Sequence, residues 1–203
     1  MTITGYSDRI NHALAFAAKH HDQQVRKGLR LPYHTRPANV AIILTRYGQE
    51  EETVIAAILH DVVEDGLRIG AAVGDPRIAR VAEKFGPEVL DILLSVSERR
   101  TDDEGVELST DERREDLLDR LAQADDRGRW VCAADQLHNA ANLIADVRRT
   151  DFPESVWERS STGREGTVAS YRAAYDRLRE VGFDAPIMGE FGRIVEELGA
   201  HGD

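Results

Sequence analysis

The sequence predicts an all-α protein, a single compact helical domain spanning residues 1–203. Apolar residues recur at helical spacing through most of the chain, and no stretch alternates with the period of a strand. The breaks between periodic stretches fall at glycine and proline, the residues that end helices. At 203 residues and 41% hydrophobic, the chain can bury one substantial core, so no second domain is required.

Residues 7–27 read as the first helix, capped by Ser7 or Asp8, with Ile10, Leu14, Ala17, Ala18 and His21 on its inner face. Its polar end, HHDQQVRKG, closes at Gly28. There the adjacent cations Arg26 and Lys27 are either a solvated helix end or a contact for phosphate. Leu31-Pro32 makes an extended entry to a second helix, with Thr35 as cap, Pro37 in the first turn and Gly48 as stop. The next helix, TVIAAILHDVVEDG over residues 53–66, is apolar enough for a buried element, and Gly66 reads as its stop. Short helices are expected over 76–85 and, restarted by Gly86-Pro87, to about residue 96.

Residues 99–115 are dense in charge and poor in apolar side chains. They are expected to form a surface loop, a lid or a solvated insertion, ending near the cap Ser109 or Thr110. Helices follow over 112–124, 130–148 and 162–179, and Asp184 caps a last one with Pro186 in its first turn. Residues 151–203 thus make a C-terminal helical extension to a core over 7–150.

Two helices carry more polarity than a buried element needs. At about 100° per residue, His60, Asp61, Glu64 and Asp65 share a sector of roughly 140°. Three carboxylates and an imidazole on one side repel unless a cation or a catalytic task holds them. On the helix over 130–148, Asp135, His138, Asn139 and Asn142 fall within about 100° of one another. That stripe must pair with a neighbouring helix or face a ligand.

The net charge of −11 argues against nucleic acid and anionic membranes as partners. An anionic substrate would need a local basic patch. The single cysteine, Cys132, sits in an apolar context and excludes an intrachain disulfide. With no apolar signal segment and no long apolar run, the expected location is the cytoplasm.

The ordered set HDQQVRKG, PYHTRPANVA, AAILHDVVEDG, KFGPEV and AADQLHN resembles the HD phosphohydrolase superfamily. Within it, the set is similar to the hydrolase domain of Rel/Spo enzymes and their small stand-alone relatives, which remove the 3′-pyrophosphate of guanosine tetraphosphate. The segment WERSSTGREGTVASYR resembles the tail of a bacterial branch of stand-alone HD proteins. The resemblance implies a divalent metal, Mn²⁺ in the family, on His60, Asp61 and Asp135. It implies Glu64 and Asp65 as the acids that orient water or protonate the leaving oxygen. It places Arg26, Lys27 and Asn139 near the nucleotide, with Tyr171 as a looser match to a substrate-side aromatic.

One departure bears on all of this. Where the family has its first metal-ligand His, directly before a Pro, this chain has Arg36. A guanidinium stays charged and cannot ligate a metal. His34, two residues earlier, could take its place if the stretch is extended, from about 6.6 Å away. Asn142 and Gln136 also depart from the family pattern. Two functions follow. One is a metal-dependent nucleotide phosphohydrolase, with guanosine tetraphosphate as the first substrate class and a nucleoside monophosphate as the second. The other is a catalytically impaired nucleotide-binding sensor in which Arg36 replaces the ion.

Overall fold

The computed structural model describes residues 6–26, 31–68, 76–102 and 104–200. Its helices, in order, are α1 (Asp8–His20), α2 (Thr35–Arg46), α3 (Glu51–Arg68), α4 (Pro76–Phe85), α5 (Pro87–Val96), α6 (Thr110–Gln123), α7 (Asp126–Arg149), α8 (Glu154–Trp157), α9 (Gly163–Glu180) and α10 (Ile187–Ala200). The described residues contain no strand, only two isolated antiparallel bridges, Val25 with Pro32 and Thr101 with Glu107. No helix is long and apolar enough to cross a membrane among the described residues.

α3 is the axis of the fold. Val54 through Leu59, then Val62 and Val63, are buried on every side, and α1, α2, α4, α5 and α7 all pack on it. An apolar helix with no solvent face is stable only when wrapped in this way. α7 is the second organiser, touching α2, α3, α5, α9 and α10. The C-terminal helices join the same core, through Leu178 of α9 and Ile187, Phe191 and Val195 of α10.

Local chemistry sets many of the ends. The Ser7 hydroxyl accepts from Ile10 N at 3.1 Å, and Asp125 accepts from Gly128 N at 3.0 Å, each satisfying a free donor in a helix's first turn. Ser109 and Glu112 form a reciprocal capping box. Gly128 also allows α7 to approach α5 closely, because a Cβ there would lie 2.6 Å from the Ser95 hydroxyl.

Several expectations change. α1 stops at His20 rather than near residue 27, and the chain turns back at once, with Gln24 O accepting from Tyr33 N and Arg26 N donating to Leu31 O. α3 runs through Gly66 to Arg68. A glycine inside a helix costs only about 1 kcal/mol, which burial of the surrounding turn outweighs. The charged segment is shorter than 99–115, since α6 begins at Thr110. Within it Asp102 accepts from the backbone N of Glu104 and Val106, and Gly105 turns the chain at φ 82°. His34 has helical angles (φ −54°, ψ −19°) at the start of α2. A helical step of two residues turns about 200°, so His34 and Arg36 point apart. The extended backbone that a ligand replacement by His34 requires is not formed, and its Nδ1 is buried without a hydrogen-bond partner among the described residues. Lys27 and Gly28 lie outside the described residues.

Candidate active site

α2, α3 and α7 bring Arg36, His60, Asp61 and Asp135 together. Arg36 is the hub. Its Nη1 donates to Asp61 Oδ1 at 2.8 Å and to the Tyr33 hydroxyl at 2.8 Å. Its Nε and Nη2 reach Asp135 Oδ1 at 3.1 and 2.9 Å, and Nη2 also reaches Asp135 Oδ2 at 2.9 Å. Asn139, one turn along α7, donates to Asp135 Oδ2 at 2.9 Å. Such forked pairing is what a planar guanidinium provides and a point charge does not.

His60 completes the group. Its Nδ1 lies 2.7 Å from Ala57 O, so that nitrogen carries the proton. Its Nε2 faces Asp61 Oδ1 and Asp135 Oδ1, each at 3.4 Å, with no hydrogen bond formed. Burial pushes the imidazole pKa down, but the carboxylates of Asp61 and Asp135 outweigh it and raise it to about 9. Asp135 moves the other way. Burial alone would raise its pKa, yet Arg36 and then His60 hold it well below the usual carboxylate range.

The family's metal position therefore holds two carboxylates already gripped by a guanidinium, with an imidazole beside them. A divalent ion there would compete with Arg36 for the same carboxylate oxygens and would crowd a buried guanidinium with further positive charge. His60, Asp61 and Asp135 do converge as the motifs imply. With Arg36 among them, the residues do not fit a metal at that position.

A two-lobed cleft opens beside this cluster. One lobe, about 380 Å³, has Arg26, Tyr33, Arg36, Asn139, Asn142, Arg159 and Tyr171 in its wall. The other, about 320 Å³, adds Glu64, Glu98, Asp135 and Gln136, and Thr167 lines both. Arg26 is held by the turned-back segment after α1. With the Asn142 amide turned so that its oxygen faces the guanidinium, as donor and acceptor matching requires, that oxygen accepts from Nη1 and Nη2 at 2.6 and 2.5 Å. Because that partner is a neutral amide, the Arg26 charge is not cancelled by its hydrogen bonds. Burial and the neighbouring Arg36 lower its pKa from the ordinary guanidinium value. Tyr171, from α9, borders both lobes, and burial lifts its pKa to about 12.

The paired acids diverge. Glu64 Oε1 accepts from Glu98 N at 3.2 Å and lines the cleft. Asp65, about 100° further around α3, turns to α1, where its Oδ2 meets His20 Nε2 at 3.0 Å and Gln24 Nε2 at 3.3 Å. Sequence reasoning missed the site roles open to Tyr33, Arg159, Thr167, His20 and Gln24. The motif strings contained all but His20, which directly precedes one of them, and nothing in their spacing ties residues on α1 or α9 to α3.

The HD domain family matches residues 13–157, and the chain belongs to it. The guanosine-3′,5′-bis(diphosphate) 3′-pyrophosphohydrolase MESH1 of Drosophila melanogaster is 32% identical over 140 residues, covering 68% of this chain and 70% of that protein. The enzyme of the same description from Aquifex aeolicus is 35% identical over 92 residues. That match takes in 45% of this chain but only 12% of the Aquifex protein. A solved structure described as a metazoan ortholog of SpoT that hydrolyzes ppGpp superimposes with a TM-score of 0.73 at 26% identity, covering 98% of this chain and 99% of the other.

Proposed function

We propose that this chain is a metal-dependent nucleotide pyrophosphohydrolase that removes the 3′-pyrophosphate of guanosine 3′,5′-bis(diphosphate) or a nucleotide of that class. Family membership and the described activities of the relatives support it. The observation that carries it is the cleft itself, where Arg26 is hydrogen-bonded by an amide rather than by a carboxylate in a protein of net charge −11. In this reading Arg26, with Lys27 beside it in sequence, binds phosphate, while Asn139 and Tyr171 flank the nucleotide. Glu64 takes a proton from the attacking water as the water oxygen bonds to phosphorus and the bond from phosphorus to the 3′-oxygen breaks. Glu64 then returns the proton to that oxygen, leaving a 3′-hydroxyl and free pyrophosphate. The family's chemistry uses a divalent ion, Mn²⁺ foremost, which would draw charge from a phosphoryl oxygen; its seat in this chain would have to lie outside the position that Arg36 closes. The protein works as one domain in the cytoplasm on a small nucleotide, not on nucleic acid or a membrane.

The test is pyrophosphate release from guanosine 3′,5′-bis(diphosphate) by the purified chain, with and without Mn²⁺, alongside a nucleotide-binding titration. Release that depends on Glu64 and on the ion is expected. A second reading, a nucleotide sensor without turnover, is favoured by the five hydrogen bonds that tie Arg36 to Asp61, Asp135 and Tyr33. Tight nucleotide binding with no release under any divalent ion would select it.

A further inference from the structure

Beside the cluster that Arg36 closes, α3 offers a second group of metal-ligating side chains. His20 and His21 end α1, and each, with Asp65, presents one donor atom such that all three lie within 4.8 Å of one another. We propose that His20, His21 and Asp65 bind a divalent first-row transition ion, one helical turn along α3 from the family's metal position.

His21 gives the strongest reason. Its ring is 2% exposed, and its Nε2 finds no hydrogen-bond partner among the described residues. A buried imidazole nitrogen without a partner is uncommon and calls for an explanation. The tautomer follows from its neighbours. Asp65 Oδ2 accepts from Gln24 Nε2, which leaves Gln24 Oε1 to accept from His21 Nδ1 at 2.8 Å. The proton is thus on Nδ1, and Nε2 presents a lone pair. An imidazole held through its far N–H by an oxygen acceptor is the usual arrangement of a metal-binding histidine.

The other two donors are placed by packing. The His20 and His21 rings meet edge to face, with centroids 4.7 Å apart. Two imidazoles and one carboxylate leave coordination positions open for water, a set suited to Zn²⁺, Co²⁺, Mn²⁺ or Fe²⁺. With metal–nitrogen bonds of about 2.1 Å, tetrahedral donors sit roughly 3.4 Å apart, so the three close by about 1 Å on binding. His20 Nε2 then gives up the hydrogen it shares with Asp65. The negative end of the α1 dipole favours the charge.

The position also relates to the cleft. The His21 ring lies 4.8 Å from Tyr33, whose hydroxyl accepts from Arg36 and whose ring borders the lobe holding Arg26. The three ligands lie outside the lining of either lobe and away from the position that Arg36 closes, so an ion here does not compete with that guanidinium, and only in this respect does the proposal bear on the hydrolase reading.

The test uses the full chain, stripped with chelator and titrated with Co²⁺ while its visible d–d absorption is followed. One ion per chain is expected. His20→Gln, on the less buried ring, should weaken binding by more than about 100-fold, and Gln24→Leu by roughly 10–100-fold, as loss of an outer hydrogen bond does. His60→Gln should leave the affinity within about twofold, as sites without shared ligands behave independently. Binding that survives His20→Gln, binding lost in His60→Gln, or no Co²⁺ absorption each overturns the proposal. Pyrophosphate release is read separately. Intact Co²⁺ binding without turnover sinks only the hydrolase reading, and turnover with an ion lost in His60→Gln sinks only this site.

Discussion

Asp61 and Asp65 stand one turn apart on the same helix, and their surroundings make them opposites. Asp61 is buried against a guanidinium that also grips Asp135, so its charge is spent on holding α2, α3 and α7 together. Asp65 is partly exposed and meets two imidazoles and an amide, groups that can rearrange around an ion. The same residue type becomes a structural anion or a candidate ligand according to what the neighbouring helix delivers.

The sharpest way to break that contrast is Arg36→Ala. It leaves two buried carboxylates without their guanidinium, with only His60 and the Asn139 amide beside them, and removal of one partner from such a group costs about 3–5 kcal/mol. Urea unfolding should show that loss, and an unchanged midpoint would mean the ion pairs contribute nothing. Arg36→His tests the other side of the comparison, by restoring the family's ligand type at the first position. A second Co²⁺ per chain should then bind, and its absence would show that position to be closed for another reason.

Protonation sharpens the contrast next. The His60 pKa is raised from 6.5 to about 9, so its stabilising contribution is fully present below pH 6.5 and is lost as pH rises through 9. That loss is on the order of 3 kcal/mol. Asp135, held below its ordinary range, contributes above about pH 4 and loses that contribution as pH falls further. Metal-free protein should therefore unfold most reluctantly between those limits. A stability that keeps rising to pH 9 would remove the imidazolium from the cluster.

Arg26→Ala should cost about 1.5–3 kcal/mol of nucleotide affinity, roughly 10- to 100-fold, with little change in stability. Calorimetric titration with guanosine 3′,5′-bis(diphosphate) checks it, and equal affinity would move the phosphates elsewhere. The smallest effect is expected at Asp65→Asn, which should cost less than about 1 kcal/mol of stability because the group is partly exposed. A loss as large as that of Arg36→Ala would erase the distinction between the two acids.

Much of the fold was legible in the sequence. Pro76 and the Gly86-Pro87 step set the bounds of α4 and α5, and Gly48 adopts the left-handed angle (φ 70°) that ends α2. Such signals act within one turn, so they can be read without knowing the fold. Gly66 misled for the complementary reason, since packing around α3 overrode a local preference worth about 1 kcal/mol. The site was half legible. His60, Asp61 and Asp135 meet as the motifs imply, and Glu64 lines the cleft, whereas His34 turns away because α2 has already begun there.

By itself, then, the sequence determined an all-α chain, a buried third helix carrying the acids, and an arginine in the place of a ligand. Only the tertiary structure decided that Arg36 folds back onto Asp61 and Asp135, that Glu64 lines the cleft while Asp65 turns to the end of α1, and that His20 and His21 join Asp65. Helical periodicity gives each side chain's angle about its own axis. Which neighbour it meets depends on how the helices rotate against one another, and burial shared across contacts 45 and 99 residues apart sets that.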